Sequence, residues 1–239
     1  MMKLHLIGVN GPFPESRGAT SGYLLEADDA LLQFDLGSGV LAKLTALTAP
    51  ESITALFISH WHFDHTADIP VLMYRLQALN RVLPVFGPAD PDSAVFRLVS
   101  SSPDFSFTEV SPGQEYVLGS AVIRITAARH PVPSVGYTVA SDGKIFGYTG
   151  DTNTLPSLAE DFRGCSLLLA DGLFGRDSWA ENKPHLSAEL AAQLAAAANA
   201  HTLVITHLNP FIPRRLLLEE ARAVFPRAQL AEAGAVIDL

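Results

Sequence analysis

Four side chains that can bind a metal stand within six residues of this chain, in the segment Ser59–His65. They are His60, His62, Asp64 and His65. Zn²⁺ prefers imidazole nitrogen and carboxylate oxygen as ligands. A lone His is usually a hydrogen-bonded core residue, but three His and one Asp so close together indicate metal binding. The chemistry to expect is hydrolysis by water that a bound metal ion activates.

The spacing within this segment favours two metal ions. Side chains two positions apart point to the same side of an extended chain, so His60 and His62 should face one ion. Asp64 and His65 are adjacent and cannot both follow that direction. We expect them to enter a turn before the next helix and to face a second ion.

Three more ligand-type residues each follow an apolar strand. They are His130 after residues 122–128, Asp151 after residues 145–148, and His207 after residues 203–206. If these strand ends share one edge of the sheets, all seven ligands converge there. The aromatic residues between the first ligands, Trp61 and Phe63, should then pack away from the metals.

Composition limits the fold class and the partners. The chain has 239 residues, 48% hydrophobic and 17% charged, which fits a single domain over residues 1–239. A net charge of −9 without a basic run disfavours nucleic acid as a partner. One Cys, Cys165, excludes an internal disulfide and a cysteine metal cluster. Because neither a signal peptide nor an apolar run of about 18 residues is visible, we expect no membrane association and a cytoplasmic location.

The order of elements predicts an α/β fold. Two β-rich halves each carry helices, and no linker separates them, so two packed sheets with helices on their outer faces are expected. The predicted strands are residues 3–9, 21–26, 31–35, 53–58, 82–86, 115–118, 121–128, 135–140, 144–148, a strand that begins at residue 166, and 203–206. The predicted helices are residues 40–47, 67–79, a helix capped by Ser187, and residues 214–224.

The ligand pattern resembles that of the metallo-β-lactamase superfamily of hydrolases, along nearly the whole chain. The resemblance implies a four-layer αββα sandwich with the site at one edge. It also implies two zinc ions, although Mn or Fe can occupy such ligands. By similarity the first ion takes His60, His62 and His130, the second takes Asp64, His65 and His207, and Asp151 bridges them.

Further motifs resemble the ribonuclease Z and phosphodiesterase branch, and within it the small YhfI-like metallohydrolases. They are His130-Pro131, Gly136-Tyr137, residues 148–152 and His185-Leu186-Ser187. The resemblance implies that Asp64 binds metal and orients a hydroxide. His185 would protonate the leaving oxygen or bind a phosphate oxygen, and Asp171 would hold His185 or a ligand. The alternatives are a surface His at a helix N-terminus and an Asp that caps a turn.

These motifs predict a dizinc phosphodiesterase that uses a metal-bridging hydroxide on a small anionic substrate such as a cyclic nucleotide. A dizinc lactone or thioester hydrolase is the alternative. Bacterial ribonuclease Z enzymes carry a long arm that grips tRNA between the third His ligand and the bridging Asp. Here only 20 residues separate His130 from Asp151, and one hairpin uses them up, so processing of tRNA 3′ ends is disfavoured. A non-hydrolytic metal or redox protein is also disfavoured, since His62 stands where the di-iron members carry Glu. The sequence leaves the oligomeric state open, between a monomer and the homodimer that this branch often forms.

Overall fold

The computed structural model describes residues 2–239, which form two seven-stranded β-sheets. The first sheet contains, in spatial order, β14 (Val236–Asp238), β1 (Met2–Gly8), β2 (Gly22–Ala27), β3 (Ala30–Phe34), β4 (Ala55–Phe57), β5 (Leu83–Gly87) and β6 (Phe105–Glu109). The second contains β13 (Gln229–Leu230), β12 (Thr202–Thr206), β11 (Leu167–Asp171), β10 (Lys144–Tyr148), β9 (Val135–Ser141), β8 (Ala121–Ala127) and β7 (Glu115–Leu118).

The central core lies between the two sheets. Strand β8 shows how the sequence produces it, because Ala121, Ile123 and Ile125 are buried while the residues between them face outward. From the first sheet, the ring of Phe34 lies 5.5 Å from that of Tyr137 in the second sheet. Buried side chains of both sheets thus form one continuous apolar cluster.

Helices cover the outer face of each sheet. On the first sheet lie α1 (Val40–Leu44), α3 (Ile69–Leu79) and α4 (Ala94–Ser101). On the second lie α5 (Leu158–Asp161), α6 (Ala188–Ala197) and α7 (Arg214–Val224). A single turn, α2 (Phe63–Thr66), precedes α3. The layers are helix, sheet, sheet and helix, so the structure confirms the four-layer αββα sandwich.

Parallel pairing brings the ligand-bearing strand ends together. Strands β3, β4 and β5 are parallel in the first sheet, and β10, β11 and β12 are parallel in the second. Residues that follow these strands therefore lie at a common edge of each sheet. Site residues follow β4, β10 and β12 directly or within a few positions, which is why they converge.

Most predicted elements are present, with shifted ends. The helix predicted from Ala67 begins at Ile69, and the one predicted to residue 47 ends at Leu44. Helix α4 and strand β6 were missed. In β6, which lies at a sheet edge, only one of the five residues is buried, so a buried-strand pattern is absent. The interval between His130 and Asp151 holds the β9–β10 hairpin, as predicted. Within residues 2–239, no helix has the length and apolar character needed to span a membrane.

Candidate metal centre

Three imidazoles meet at the sheet edge and form what we call the three-histidine group (His60, His62 and His130). His60 and His62 follow β4, and His130 follows β8. His62 Nδ1 lies 2.9 Å from His60 Nε2 and 3.2 Å from His130 Nε2. The three nitrogens therefore converge on a single point, and the sequence-based expectation that His60 and His62 face the same side is confirmed.

The surroundings favour neutral imidazoles in this group. Burial lowers the pKa of His62 and of His130, and it lowers that of His60 to well below its usual value. The far nitrogens of two rings are occupied: His130 Nδ1 donates to the Pro184 carbonyl at 3.1 Å, and His60 Nδ1 lies 3.1 Å from Ser59 Oγ. Such contacts hold the remaining nitrogen of each ring toward the common point.

Beside it lies a second cluster, the carboxylate-rich group (Asp64, His65, Asp151 and His207). Asp64 and His65 belong to α2, while Asp151 and His207 follow β10 and β12. His207 Nε2 lies 3.0 Å from Asp64 Oδ2, and Asp151 Oδ2 lies 3.2 Å from His65 Nε2 and 3.4 Å from His207 Nε2. The turn expected at Asp64 and His65 is present as α2.

Asp151 stands between the two groups. Its Oδ2 atom is 3.7 Å from His60 Nε2, and it is also within reach of His65 and His207 in the other group. Burial alone would raise the pKa of this carboxyl, but the neighbouring His207 and His65 hold it well below the usual value. Asp151 is therefore an anion placed where it can contact both groups at once.

The carboxylate-rich group requires positive charge. Burial would lower the pKa of His65 and His207, but nearby carboxylates, Asp151 foremost, raise that of His65 to well above normal and that of His207 to about 10. In the bare protein, protons on these rings offset the buried carboxylates. A divalent cation supplies the same charge to the same atoms, so the donor types and their convergence fit a metal ion.

Asp35 lies at the base of this group, and the sequence had suggested no site role for it. Its buried carboxylate accepts hydrogen bonds from His65 Nδ1 at 2.8 Å, Tyr148 Oη at 2.6 Å and Ser59 Oγ at 2.8 Å. It orients His65 so that Nε2 faces Asp151. The available signal was an Asp directly after a strand, at the start of the turn Asp35-Leu36-Gly37.

His185 and Asp171 lie beside the carboxylate-rich group. Asp171 is the last residue of β11, and its Oδ2 accepts from His185 Nδ1 at 2.9 Å and from the Thr152 amide at 3.1 Å. The His185 ring stacks on His207, with centroids 4.9 Å apart. His185 is only 7% exposed, so it is not a surface residue, and its Nε2 atom remains for a ligand.

Asp171 has two roles in the structure. Besides holding His185, its Oδ1 atom accepts from the Leu173 amide at 3.1 Å, so it also caps the turn that follows β11. Both sequence-based interpretations of Asp171 are therefore present together. Burial would raise the pKa of this carboxyl, but the adjacent His185 lowers it.

The two aromatic residues between the first ligands behave differently. Trp61 is buried, packs edge-on against Phe96 and donates from its indole nitrogen to the Pro88 carbonyl. Phe63 is 68% exposed and lines the same surface cleft as His62. The prediction that Phe63 packs away from the metals is wrong, because the chain leaves the extended conformation when α2 begins at this residue.

Comparison with known proteins identifies the family. A family model described as the beta-lactamase superfamily domain matches residues 32–208. The probable metallo-hydrolase YhfI of Bacillus subtilis is 30% identical over 98% of this chain and 99% of its own. This chain belongs to the metallo-β-lactamase superfamily. It is a metal-dependent hydrolase of that superfamily, and the candidate ligands described above are its possible metal-binding residues.

Solved structures and further relatives of this superfamily agree with that assignment. The crystal structure of YhfI matches with a TM-score of 0.92 and covers 99% of this chain and 98% of its own. A diphosphatase of the PhnP family, at 18% identity, shares the fold with a TM-score of 0.76 over 100% of this chain and 98% of its own. The ribonuclease Z of Methanosarcina mazei is 24% identical over 293 aligned positions, covering 97% of this chain and 96% of its own.

Proposed function

We propose that this superfamily member is a dinuclear zinc phosphodiesterase that acts on a small anionic substrate such as a cyclic nucleotide. The observation that carries the proposal is the position of Asp151 Oδ2, 3.7 Å from His60 of the three-histidine group and 3.2 Å from His65 of the carboxylate-rich group. A carboxylate shared in this way suits two cations held side by side. Mn or Fe ions would also suit these ligands.

Each group of ligands would hold one ion, and Asp151 would contact both. Ions bound there would lower the pKa of water toward neutrality and neutralise the negative charge that develops on a phosphoryl oxygen. Within the carboxylate-rich group, Asp64 is the ligand with an exposed edge, with 12% of its side chain accessible. We assign it the further role of accepting a hydrogen bond from the attacking water and orienting it.

His185 would act on the leaving group. Because Asp171 accepts from Nδ1, the proton that can be donated to a leaving oxygen sits on Nε2 of the imidazolium form. The Asp171 carboxylate fixes the orientation of the ring, which stacks on His207. Donation to the leaving oxygen avoids the release of an alkoxide, which is the costly part of cleaving an alkyl phosphodiester.

The substrate we propose is small and is not a nucleic acid. The β9–β10 hairpin leaves no room in the chain for a long arm between His130 and Asp151. The ribonuclease Z relative aligns over 293 positions, more than this chain contains, so that enzyme has segments without a counterpart here. The net charge of −9 further opposes binding of a polyanion.

A substrate panel tests the proposal. Chelator-treated protein reconstituted with Zn²⁺ or Mn²⁺ is assayed with bis-p-nitrophenyl phosphate, cyclic nucleotides, a lactone and a thioester. We expect metal-dependent cleavage of the phosphodiesters, and lactone or thioester turnover at least about 100-fold slower in kcat/KM. Preferential turnover of the lactone or the thioester would replace the phosphodiesterase proposal, because the same ions can polarise a carbonyl.

A further inference from the structure

A surface cleft of about 460 Å³ opens beside His62. Its walls come from both ligand-bearing loops: Phe63 follows His62, and Pro131 and Val132 follow His130. Whatever is bound at the three-histidine group therefore extends into this cleft if it is larger than the reacting group itself. The cleft is therefore placed to bind a substituent of the substrate, next to the reacting group.

One wall of the cleft is apolar. Phe63 is 68% exposed, although a phenyl ring on the surface gains nothing from contact with water. Phe63 is the first residue of α2, directly after His62, so the metal-binding loop fixes the position of its backbone at the cleft. An exposed, positioned ring of this kind offers its face to a ligand.

Two carboxylates also line the cleft. Asp90 is only 8% exposed, and its carboxylate has no hydrogen-bonding or ionic partner in the described residues 2–239, so its oxygens meet solvent at the cleft. A donor from a ligand in the cleft can therefore bond to this carboxylate without displacing a protein partner. Asp92 adds a second carboxylate, and of residues 2–239 neither Lys nor Arg lines the cleft.

Resting on the proposed phosphodiesterase function, we propose that this cleft binds a positively charged nitrogen on the substrate, an alkylammonium or quaternary ammonium group. The cation would lie over the face of Phe63 and beside the Asp90 carboxylate. The substrate would then be zwitterionic, with its phosphodiester at the metal centre and its cation in the cleft. A neutral group of the same shape would lose both electrostatic contacts.

A matched pair of substrates tests this inference. p-Nitrophenyl phosphorylcholine and p-nitrophenyl 3,3-dimethylbutyl phosphate have the same shape and the same leaving group, and they differ only in the charge on the substituent. With metal-loaded wild-type protein we expect kcat/KM to be about tenfold higher for the choline ester, mainly through KM, since an ion pair and a cation–π contact together reach that size. Equal values for the two esters would overturn the inference.

Variants identify the residues responsible. Asp90→Asn should bring the ratio of the two kcat/KM values close to one, and Phe63→Leu should lower it by about half. Phe63→Leu changes an exposed side chain, so it remains informative if Asp90→Asn does not fold. Asp238→Asn, an exposed carboxylate on β14, is the matched control and should keep the wild-type ratio. A ratio that survives both cleft substitutions contradicts the assignment.

Binding of product analogues separates this inference from the proposed function. Phosphocholine and 3,3-dimethylbutyl phosphate are titrated into the metal-loaded protein by calorimetry, which requires no turnover. One outcome would be that no phosphodiester is cleaved, while phosphocholine still binds about tenfold tighter than 3,3-dimethylbutyl phosphate and Asp90→Asn removes the difference. That outcome would contradict the proposed function but support cation binding in the cleft. Another outcome would be that cyclic nucleotides are cleaved, and that Asp90 affects their KM but not the preference for the choline ester. In that case a nucleobase occupies the cleft, and the proposal that the cleft binds a cation is wrong.

Discussion

The two halves of the metal centre differ in charge, although they lie side by side. The three-histidine group has only imidazole ligands of its own, and burial holds their pKa values below normal. The carboxylate-rich group contains Asp64 and Asp151, whose charges raise the pKa values of its imidazoles. The first group is therefore ready to bind a cation without losing protons, whereas the second must exchange protons for the cation.

The supporting contacts differ in the same way. In the three-histidine group, the partners of the far nitrogens are neutral: a serine hydroxyl and a backbone carbonyl. In the carboxylate-rich group, His65 Nδ1 donates a hydrogen bond to Asp35. The adjacent His185 Nδ1 donates one to Asp171. Carboxylates behind a ligand increase its basicity, so the second group should bind its ion with stronger dependence on outer residues.

The largest expected effect comes from the one residue common to both halves. Asp151→Asn removes the charge that both groups share, so we expect less than one metal ion per chain and a fall in hydrolysis of about 10³-fold or more. Elemental analysis and bis-p-nitrophenyl phosphate turnover measure the two quantities. Asp238→Asn is the control for removal of a carboxylate. Retention of full metal content and full activity would show that the halves do not depend on Asp151.

A change at His185 should separate chemistry from metal binding. We expect His185→Asn to leave the metal content unchanged and to lower kcat by about 10²- to 10⁴-fold for a substrate with an alkoxide leaving group. p-Nitrophenolate needs no protonation, so the loss should be much smaller with bis-p-nitrophenyl phosphate. Equal losses on both kinds of substrate would rule out the general-acid role and leave His185 as a binding residue.

A change behind the carboxylate-rich group should affect one ion more than the other. Asp35→Asn weakens the direct support of His65, for which the usual cost is about 10- to 100-fold in metal affinity, whereas Asp35 reaches His60 only through the Ser59 hydroxyl. A chelator titration should therefore release one ion much earlier than in the wild type and the other ion only slightly earlier. Uniform weakening of both ions would mean that the two halves act as one unit and that their different support is unimportant.

The smallest effect concerns pH. The pKa of His207 is raised to about 10 in the folded chain, against about 6.5 for an unfolded His. A raised pKa stabilises the fold fully below pH 6.5 and progressively less as pH approaches 10. The free energy of unfolding of metal-free protein should fall between pH 7 and 10. Urea denaturation with and without metal measures this free energy, and the metal-loaded protein is the reference because its His207 has no such proton to lose. A free energy of unfolding that rises between pH 7 and 10 in the metal-free protein would contradict the prediction.

The sequence allowed the metal ligands to be predicted because they combine two independent signals. Each is a ligand-type residue, and each lies at or soon after the end of an apolar strand. His130 shows the value of the combination, since a single His carries little information until the strand before it is recognised. Within each sheet, a common edge for the strand ends then follows from parallel pairing.

Other parts of the site lay beyond sequence reasoning for physical reasons. Asp35 supports His65 across 30 positions of the chain, and an Asp in a turn after a strand is ordinary. The exposure of Phe63 depends on α2 beginning at that residue, which changes the side-chain period from two to 3.6. Asp90 becomes distinctive only because the folded chain places it in the same cleft as Phe63 and His62.

The most direct test of the dinuclear centre is a metal titration of chelator-treated protein, followed by elemental analysis and hydrolysis of bis-p-nitrophenyl phosphate. We expect little turnover after the first equivalent of Zn²⁺ and a rise to a plateau as the second equivalent binds. Asp151→Asn should not reach this plateau at any metal concentration used. Full activity with one equivalent of bound metal, or activity that survives complete removal of metal, would contradict the account.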